Sequence, residues 1–315
     1  MFVTITLNPA YDHLLYLHDV EIGQMNRTHS TIQMPGGKGV NVASTLAILG
    51  EEVVATGFLG GQGSRMFEEA LRNIGVTTNF IYINREIRTD FYIIEEAQNR
   101  QTLFVEEGAP IERRFLNSFK DNFDRLLTSA ELIEIGGSLP NGVSPAFVKE
   151  LIQTANRKKV KVVLNVQEHI IKDCLCDGVR VFILNPDMRG CEDLCGKNVC
   201  EIELRPPVAR DLFIAKGADM VILNSHSFEY TVVTKDEAWH GEIEPGKSAN
   251  KLGVRDSLLG GFIHNYLKTN NTGEALKYGL GAVLSTARHK EHRNHPNSKA
   301  EVEELRLMAK VRKVS

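Results

Sequence analysis

The sequence predicts an α/β fold of three layers (α/β/α), with a doubly wound, mostly parallel sheet between helices and a small extra β-sheet. Three observations carry this. Strand-like and helix-like runs alternate for most of the 315 residues, the pattern in which crossover helices wind a parallel sheet. The runs 160–164, 181–184 and 220–223 are short, apolar and β-branched, as strands covered on both faces are. Glycine-rich segments fall between strand ends and helix starts, where such folds form ligand crevices.

Element by element, 2–7 reads as a first strand and 40–49 as a helix. In that helix Val42, Leu46 and Leu49 share one face and Gly50 supplies the stop. A short apolar strand at 53–58 leads to a helix at 64–74, then a strand at 132–135 and a helix at 145–156. Two helices, 257–268 and 273–287, come near the end. The segments 13–33 and 89–107 break the rhythm, with irregular strands and no helix between them. They predict a small separate sheet packed over the end of the main one, within a single domain spanning 1–315. The tail from Arg288 is polar and reads as a solvated loop leading to a helix at 299–311.

Composition narrows the partners. A net charge of −3 offers no basic face for nucleic acid. No apolar run approaches the roughly 20 residues that span a bilayer, and residues 1–7 lack the basic flank of a signal peptide. A soluble cytoplasmic protein is expected, with no nucleic acid and no membrane among its partners. Cys174, Cys176, Cys191, Cys195 and Cys200 are odd in number and lack the repeated C-x-x-C spacing of zinc sites. Reduced, idle thiols are expected. His289, His292 and His295 have ligand-like spacing but no supporting carboxylate or cysteine pattern, so no protein-held metal is expected.

Four segments carry candidate chemistry. Pro35-Gly36-Gly37-Lys38-Gly39-Val40-Asn41 opens into a helix, so its backbone can turn tightly and offer free N–H groups to polar or anionic atoms. It is not a Walker A loop, since no Ser or Thr follows Lys38. Gly57-Phe58-Leu59-Gly60-Gly61-Gln62-Gly63 lacks the spacing of a dinucleotide fingerprint. Gly136-Gly137-Ser138-Leu139-Pro140-Asn141-Gly142 follows an apolar strand. In Gly253-Val254-Arg255-Asp256, the aspartate stands at a helix start. There it serves either as an N-cap or as a base taking a hydroxyl proton while helix amides hold a phosphoryl group.

Taken together, these segments resemble the ribokinase-like sugar kinases, most closely the 1-phosphofructokinase and tagatose-6-phosphate kinase branch. Thr6-Leu7-Asn8-Pro9-Ala10-Tyr11-Asp12 is similar to that branch's opening motif, and Gly36–Ala43 to its long glycine signature. Gly57-Phe58-Leu59-Gly60 and Gly137–Pro145 follow in the expected order. The resemblance implies that 13–33 and 89–107 form a β lid, with a possible homodimer through it. It implies transfer of the ATP γ-phosphoryl, with Mg2+, to a hydroxyl of a ketohexose phosphate, giving a bisphosphate. Asp12 would bind sugar hydroxyls. Gly36, Gly37, Lys38, Asn41 and Ser138 would line the sugar-phosphate pocket, and Arg88 would sit near the substrate phosphate. Asp256 would be the base, with Gly253 beside it, and Asn185, Asn224 and Arg255 would meet the nucleotide.

Departures from the branch collect on the nucleotide side. Gly-Val-Arg-Asp replaces Gly-Ala-Gly-Asp, Met188 stands where a magnesium-organising glutamate is usual, and Asn224–Glu229 lacks two glycines. Asn165-Val166-Gln167-Glu168 replaces Asp-Thr-Ser-Gly. On the sugar side Asp90 replaces Asn, and Leu103 and Val105 replace Glu and Asn. Besides the kinase reading, two alternatives stand at this point: a sugar-phosphate sensor or scaffold with a degenerate nucleotide site, and a tagatose-6-phosphate or fructose-6-phosphate kinase. If the backbone at Arg255 has positive φ, its Cβ brings about 1–2 kcal/mol of strain.

Overall fold

A computed structural model describes residues 1–176, 178–186, 192, 199, 201–226, 228–246, 249–289, 291 and 293–314. Met188, Cys191, Cys195, Cys200, Ser227 and His292, singled out above, lie outside them. The chain runs β1 (Phe2–Thr6), β2 (Ala10–Leu17), β3 (Ser30–Gly36), α1 (Lys38–Ile48), β4 (Val53–Gly60), α2 (Ser64–Asn73), β5 (Thr77–Thr78), β6 (Ile81–Ile83), β7 (Arg88–Glu95) and β8 (Arg100–Val105). It continues through α3 (Arg113–Leu126), β9 (Leu132–Gly137), α4 (Pro145–Arg157), β10 (Lys161–Val166), α5 (Glu168–Cys174) and β11 (Val181–Leu184). Then come α6 (Arg205–Leu212), β12 (Ala218–His226), β13 (Glu229–Thr234), β14 (Ala238–Glu242), α7 (Val254–Thr269), α8 (Thr272–Ala287), α9 (Lys299–Leu305) and β15 (Lys310–Val314).

The main sheet has the order β15-β14-β13-β12-β11-β10-β9-β1-β4-β5, with β6 also paired to β4. From β12 to β5 neighbours run parallel, while β13, β14 and β15 add an antiparallel edge. Period-2 alternation divides its side chains between two cores. Ile133, Ile135, Val162 and Leu164 face Phe119 and Phe123 of α3, Val148 and Leu151 of α4, and Ile170 of α5. Leu132, Val163, Ile183 and Ile222 face Val42 and Leu46 of α1 and Leu258, Phe262 and Leu280 of α7 and α8. Three layers result.

A second sheet of four strands, β3-β2-β7-β8, is formed by the segments that break the alternation. Its β2–β7 pair is parallel and sets Asp12 beside Asp90; β3 and β8 flank it antiparallel. On the outer strand β8, Leu103, Phe104 and Val105 are exposed.

Several boundaries differ from the sequence reading. Helix α1 begins at Lys38 rather than 40, capped by Gly37 at φ 115°, which only glycine adopts without strain. Helix α7 begins at Val254 rather than 257, so Gly253 (φ 71°) is the N-cap and Asp256 stands inside the first turn. Its side chain is therefore not spent on capping. Arg255 is not among the residues with positive φ, so the strain considered for it does not arise. The expected helix at 299–311 ends at Leu305; a 3-10 turn (Arg306–Met308) leads into β15, paired with β14. Sheet pairing at the edge overrides local helix propensity there. Cys174 is buried and Cys176 exposed.

Candidate active site

A cavity of about 710 Å³ opens at the carboxyl ends of β9, β10, β11 and β12, against the second sheet. Of the sequence-predicted residues, Asp12, Gly37, Lys38, Asn41, Arg88, Ser138, Asn185, Asn224, Gly253, Arg255 and Asp256 line it. Gly36 lies just behind: a Cβ there would fall on the Asp12 carboxyl group. Asn8, Asp90, Asn165 and Lys251 complete much of the wall.

At the floor is Asp256, on the first turn of α7, where the amides of residues 254–256 have no partner within the helix. Both its oxygens accept from amides: Oδ2 from Asn41 Nδ2 at 2.7 Å, Oδ1 from Asn165 Nδ2 at 3.2 Å. Asn185 Nδ2 donates to Asn165 Oδ1 at 3.0 Å, which fixes the orientation of that amide. On the other side, Asn294 Nδ2 donates to Asn41 Oδ1 and to Pro35 O, both at 2.8 Å. Burial raises the Asp256 pKa, opposed first by the Lys38 charge and then by the hydrogen bonds from Asn41 and Asn165. A carboxylate so placed can take a proton at neutral pH.

Asn294 went unrecognised in the sequence, where its surroundings read as a solvated tail. It is buried because the segment folds back on the α7 start: Asn250 Nδ2 donates to Arg293 O at 2.8 Å, and a Cβ on Gly253 would come within 2.7 Å of the Asn294 Cα. Polar loop residues of this kind carry no periodic signal. Glu134 was missed as well. It faces α1 from β9, fully buried, and burial and the nearby Asp256 charge hold its pKa well above the usual range, against the pull of the Asn165 amide and Lys38.

Toward the second sheet, Asp12 is buried and its pKa is pushed up to about 8, chiefly by burial and then by Asp90, against the pull of Arg88. At neutral pH it is largely a carboxylic acid, able to donate as well as accept a hydrogen bond. Arg88 bonds Asp90 Oδ1 at 2.8 Å, Glu106 O at 3.1 Å and Asn8 O at 3.2 Å. Asn8 Nδ2 in turn reaches Ser138 Oγ at 3.1 Å.

Across the cavity, Asn165, Gln167, Glu168, Asn185 and Asn224, from the carboxyl ends of β10, β11 and β12, share one wall. With the Asn224 amide oriented so that its oxygen faces the guanidinium, it accepts from Arg255 Nε at 2.6 Å and Nη2 at 3.2 Å. The guanidinium is thereby held beside the α7 start.

The profile of the pfkB family carbohydrate kinases matches residues 5–295. The chain belongs to this family. Tagatose-6-phosphate kinase of Staphylococcus epidermidis is 26% identical over 279 residues, 88% of this chain and 89% of the relative. A possible 1-phosphofructokinase from Thermotoga maritima superposes over the whole of both chains with TM-score 0.89 and 25% identity. Phosphofructokinase-2 from Escherichia coli, solved with substrates and products, covers 97% of this chain and 98% of its own at TM-score 0.87 and 19% identity, a likeness of fold. In this pfkB-family chain no described helix is long and apolar enough to cross a membrane.

Proposed function

We propose that the chain transfers the γ-phosphoryl group of ATP to a hydroxyl of a ketohexose phosphate, giving a bisphosphate. The observation that carries this reading is the Asp256 carboxylate, gripped by two asparagine amides on the first turn of α7 inside a cavity with polar walls. Family membership and the relatives' activities point the same way.

In this reading Asp12 and Ser138 bind sugar hydroxyls, and Lys38, at the α1 start with Gly37, lines the sugar-phosphate pocket, where its charge acts on Asp256. Arg88, from the second sheet, meets the acceptor's phosphate. The acceptor hydroxyl gives its proton to Asp256 as its oxygen bonds to the γ-phosphorus, and the bond from that phosphorus to the ADP oxygen breaks. Amides of residues 254–256, beside Gly253, face the charge that builds on the transferring group. Asn185, Asn224 and Arg255 serve the nucleotide. Arg255 contributes a fixed cation, oriented by Asn224, where the branch has a glycine.

Magnesium fits this wall as a companion of the nucleotide, since Mg2+ commonly takes one carboxylate plus substrate phosphates. Glu168 is a carboxylate among the described residues of that wall. The ion would neutralise charge on the phosphates.

The four-stranded sheet acts as a lid, since Asp12, Arg88, Asp90 and Tyr92 from it wall the cavity. Its exposed apolar strand β8 supports pairing with a second copy into a homodimer. A coupled assay with Mg-ATP and fructose 1-phosphate, fructose 6-phosphate or tagatose 6-phosphate tests the activity. Asp256→Asn should lower kcat by about 10²–10⁴. Turnover equal to the parent's would remove Asp256 as the base.

A further inference from the structure

The acceptor end of the cavity holds a carboxyl group that the mechanism does not use. Asp90, on β7, is buried and ion-paired with Arg88 at 2.8 Å, with both side chains only 9% exposed. Among the described residues, Arg88 is the arginine at this end of the cavity, and its charge is already balanced by Asp90. An incoming phosphate therefore meets a neutral pair rather than a free guanidinium.

Other charges around Asp90 do not relieve this. Asp12 stands beside it on β2 and, largely protonated at neutral pH, brings no balancing positive charge. Glu106, just after β8, accepts from the Thr89 N–H and adds a further negative charge. Tyr92, on the same strand, has its phenol pKa raised, so it brings no negative charge at neutral pH. Lys38 also lines the cavity, and its charge acts on Asp256 and Glu134. Burial already lifts the Asp90 pKa despite Arg88, and a phosphate sharing that guanidinium lifts it further.

We propose that Asp90 is a specificity-determining residue that makes sugar-phosphate binding proton-coupled: the acceptor's phosphate shares Arg88 with Asp90 only when one proton is retained between them. The proton comes from solvent and rests on the Asp90 carboxyl group or the phosphate. The pocket thus discriminates against a fully charged phosphate at this end, and the discrimination sharpens as pH rises. This rests on the acceptor class proposed above.

The sign follows from linkage. The free protein loses the Asp90 proton at a lower pH than the complex does, so affinity falls between those two points. The phosphate's own second pKa is about 6, so the effect is read above it.

Fructose 1-phosphate, fructose 6-phosphate and tagatose 6-phosphate are the probes. Calorimetry at pH 7.5 in two buffers of different ionisation enthalpy counts protons, and KM is followed from pH 6.5 to 8.5. The parent should take up about one proton per sugar phosphate, with KM rising by up to about tenfold per pH unit. Asp90→Asn should take up none and have a KM at pH 8 about tenfold or more lower. Asp12 remains in that variant; without the Asp90 charge its titration moves to lower pH, so a pH dependence belonging to Asp12 would survive the substitution displaced downward. Such survival, or proton-free binding with flat KM in the parent, overturns the role of Asp90 while leaving the kinase activity standing. If the parent phosphorylates none of the three, the acceptor class itself fails, and this proposal with it.

Discussion

Replacing Asn294 with alanine removes a buried amide that donates to both Pro35 O and Asn41 Oδ1 at 2.8 Å. Each such bond contributes about 0.5–1.5 kcal/mol net, and a buried partner left unsatisfied costs about 1–3 kcal/mol. A loss of about 2–4 kcal/mol in folding stability is expected on that basis. The second effect is chemical. Without Asn294, the Asn41 amide is free to turn, and its Nδ2 leaves Asp256 Oδ2, now 2.7 Å away. A hydrogen bond to a charged acceptor contributes about 1.5–3 kcal/mol, or about 1–2 pKa units. That bond favours the carboxylate, so its loss raises the Asp256 pKa, and the acid limb of kcat/KM moves to higher pH. Initial rates from pH 5.5 to 9, beside urea unfolding of the same protein, read both effects. A variant that loses stability while its acid limb stays in place would refute the coupling of Asn294 to Asp256.

Two further outcomes follow from residues away from the chemistry. Glu134 keeps its proton in the folded protein well above 4.5, whereas the unfolded chain releases it there, so its contribution falls as pH rises from that value through the folded pKa. Asp12, at about 8, acts in the same direction. Glu134→Gln should gain in urea midpoint relative to the parent between pH 5 and pH 8, and parallel curves would count against a buried acid. On β8, Phe104→Lys should shift the protein toward monomer in sedimentation velocity; an unchanged mass would argue against pairing through this strand.

The layers were legible because alternation and short β-branched runs such as 160–164 depend on burial on both faces, which composition records. The glycine turn at Gly36-Gly37 was legible because a helix start at φ 115° admits little else. What escaped depends on distant partners. Lys310–Val314 forms a strand because β14 lies beside it, and Asn294 is interior because a polar tail folds against Pro35 and Gly253. The role weighed for Asp256 as an N-cap turned on a boundary three residues away, and local propensity does not fix boundaries that closely.

The ladder of amides from Asn294 through Asn41 to Asp256, and on through Asn165 to Asn185, is an electrical insulator for protons. Carboxamides neither gain nor lose a proton near neutral pH, so they hold the carboxylate without offering it a relay inward. In the proposed reaction, a proton taken from an acceptor hydroxyl therefore leaves Asp256 toward the cavity itself. In this fold, resetting the base and clearing the product become events at the same opening.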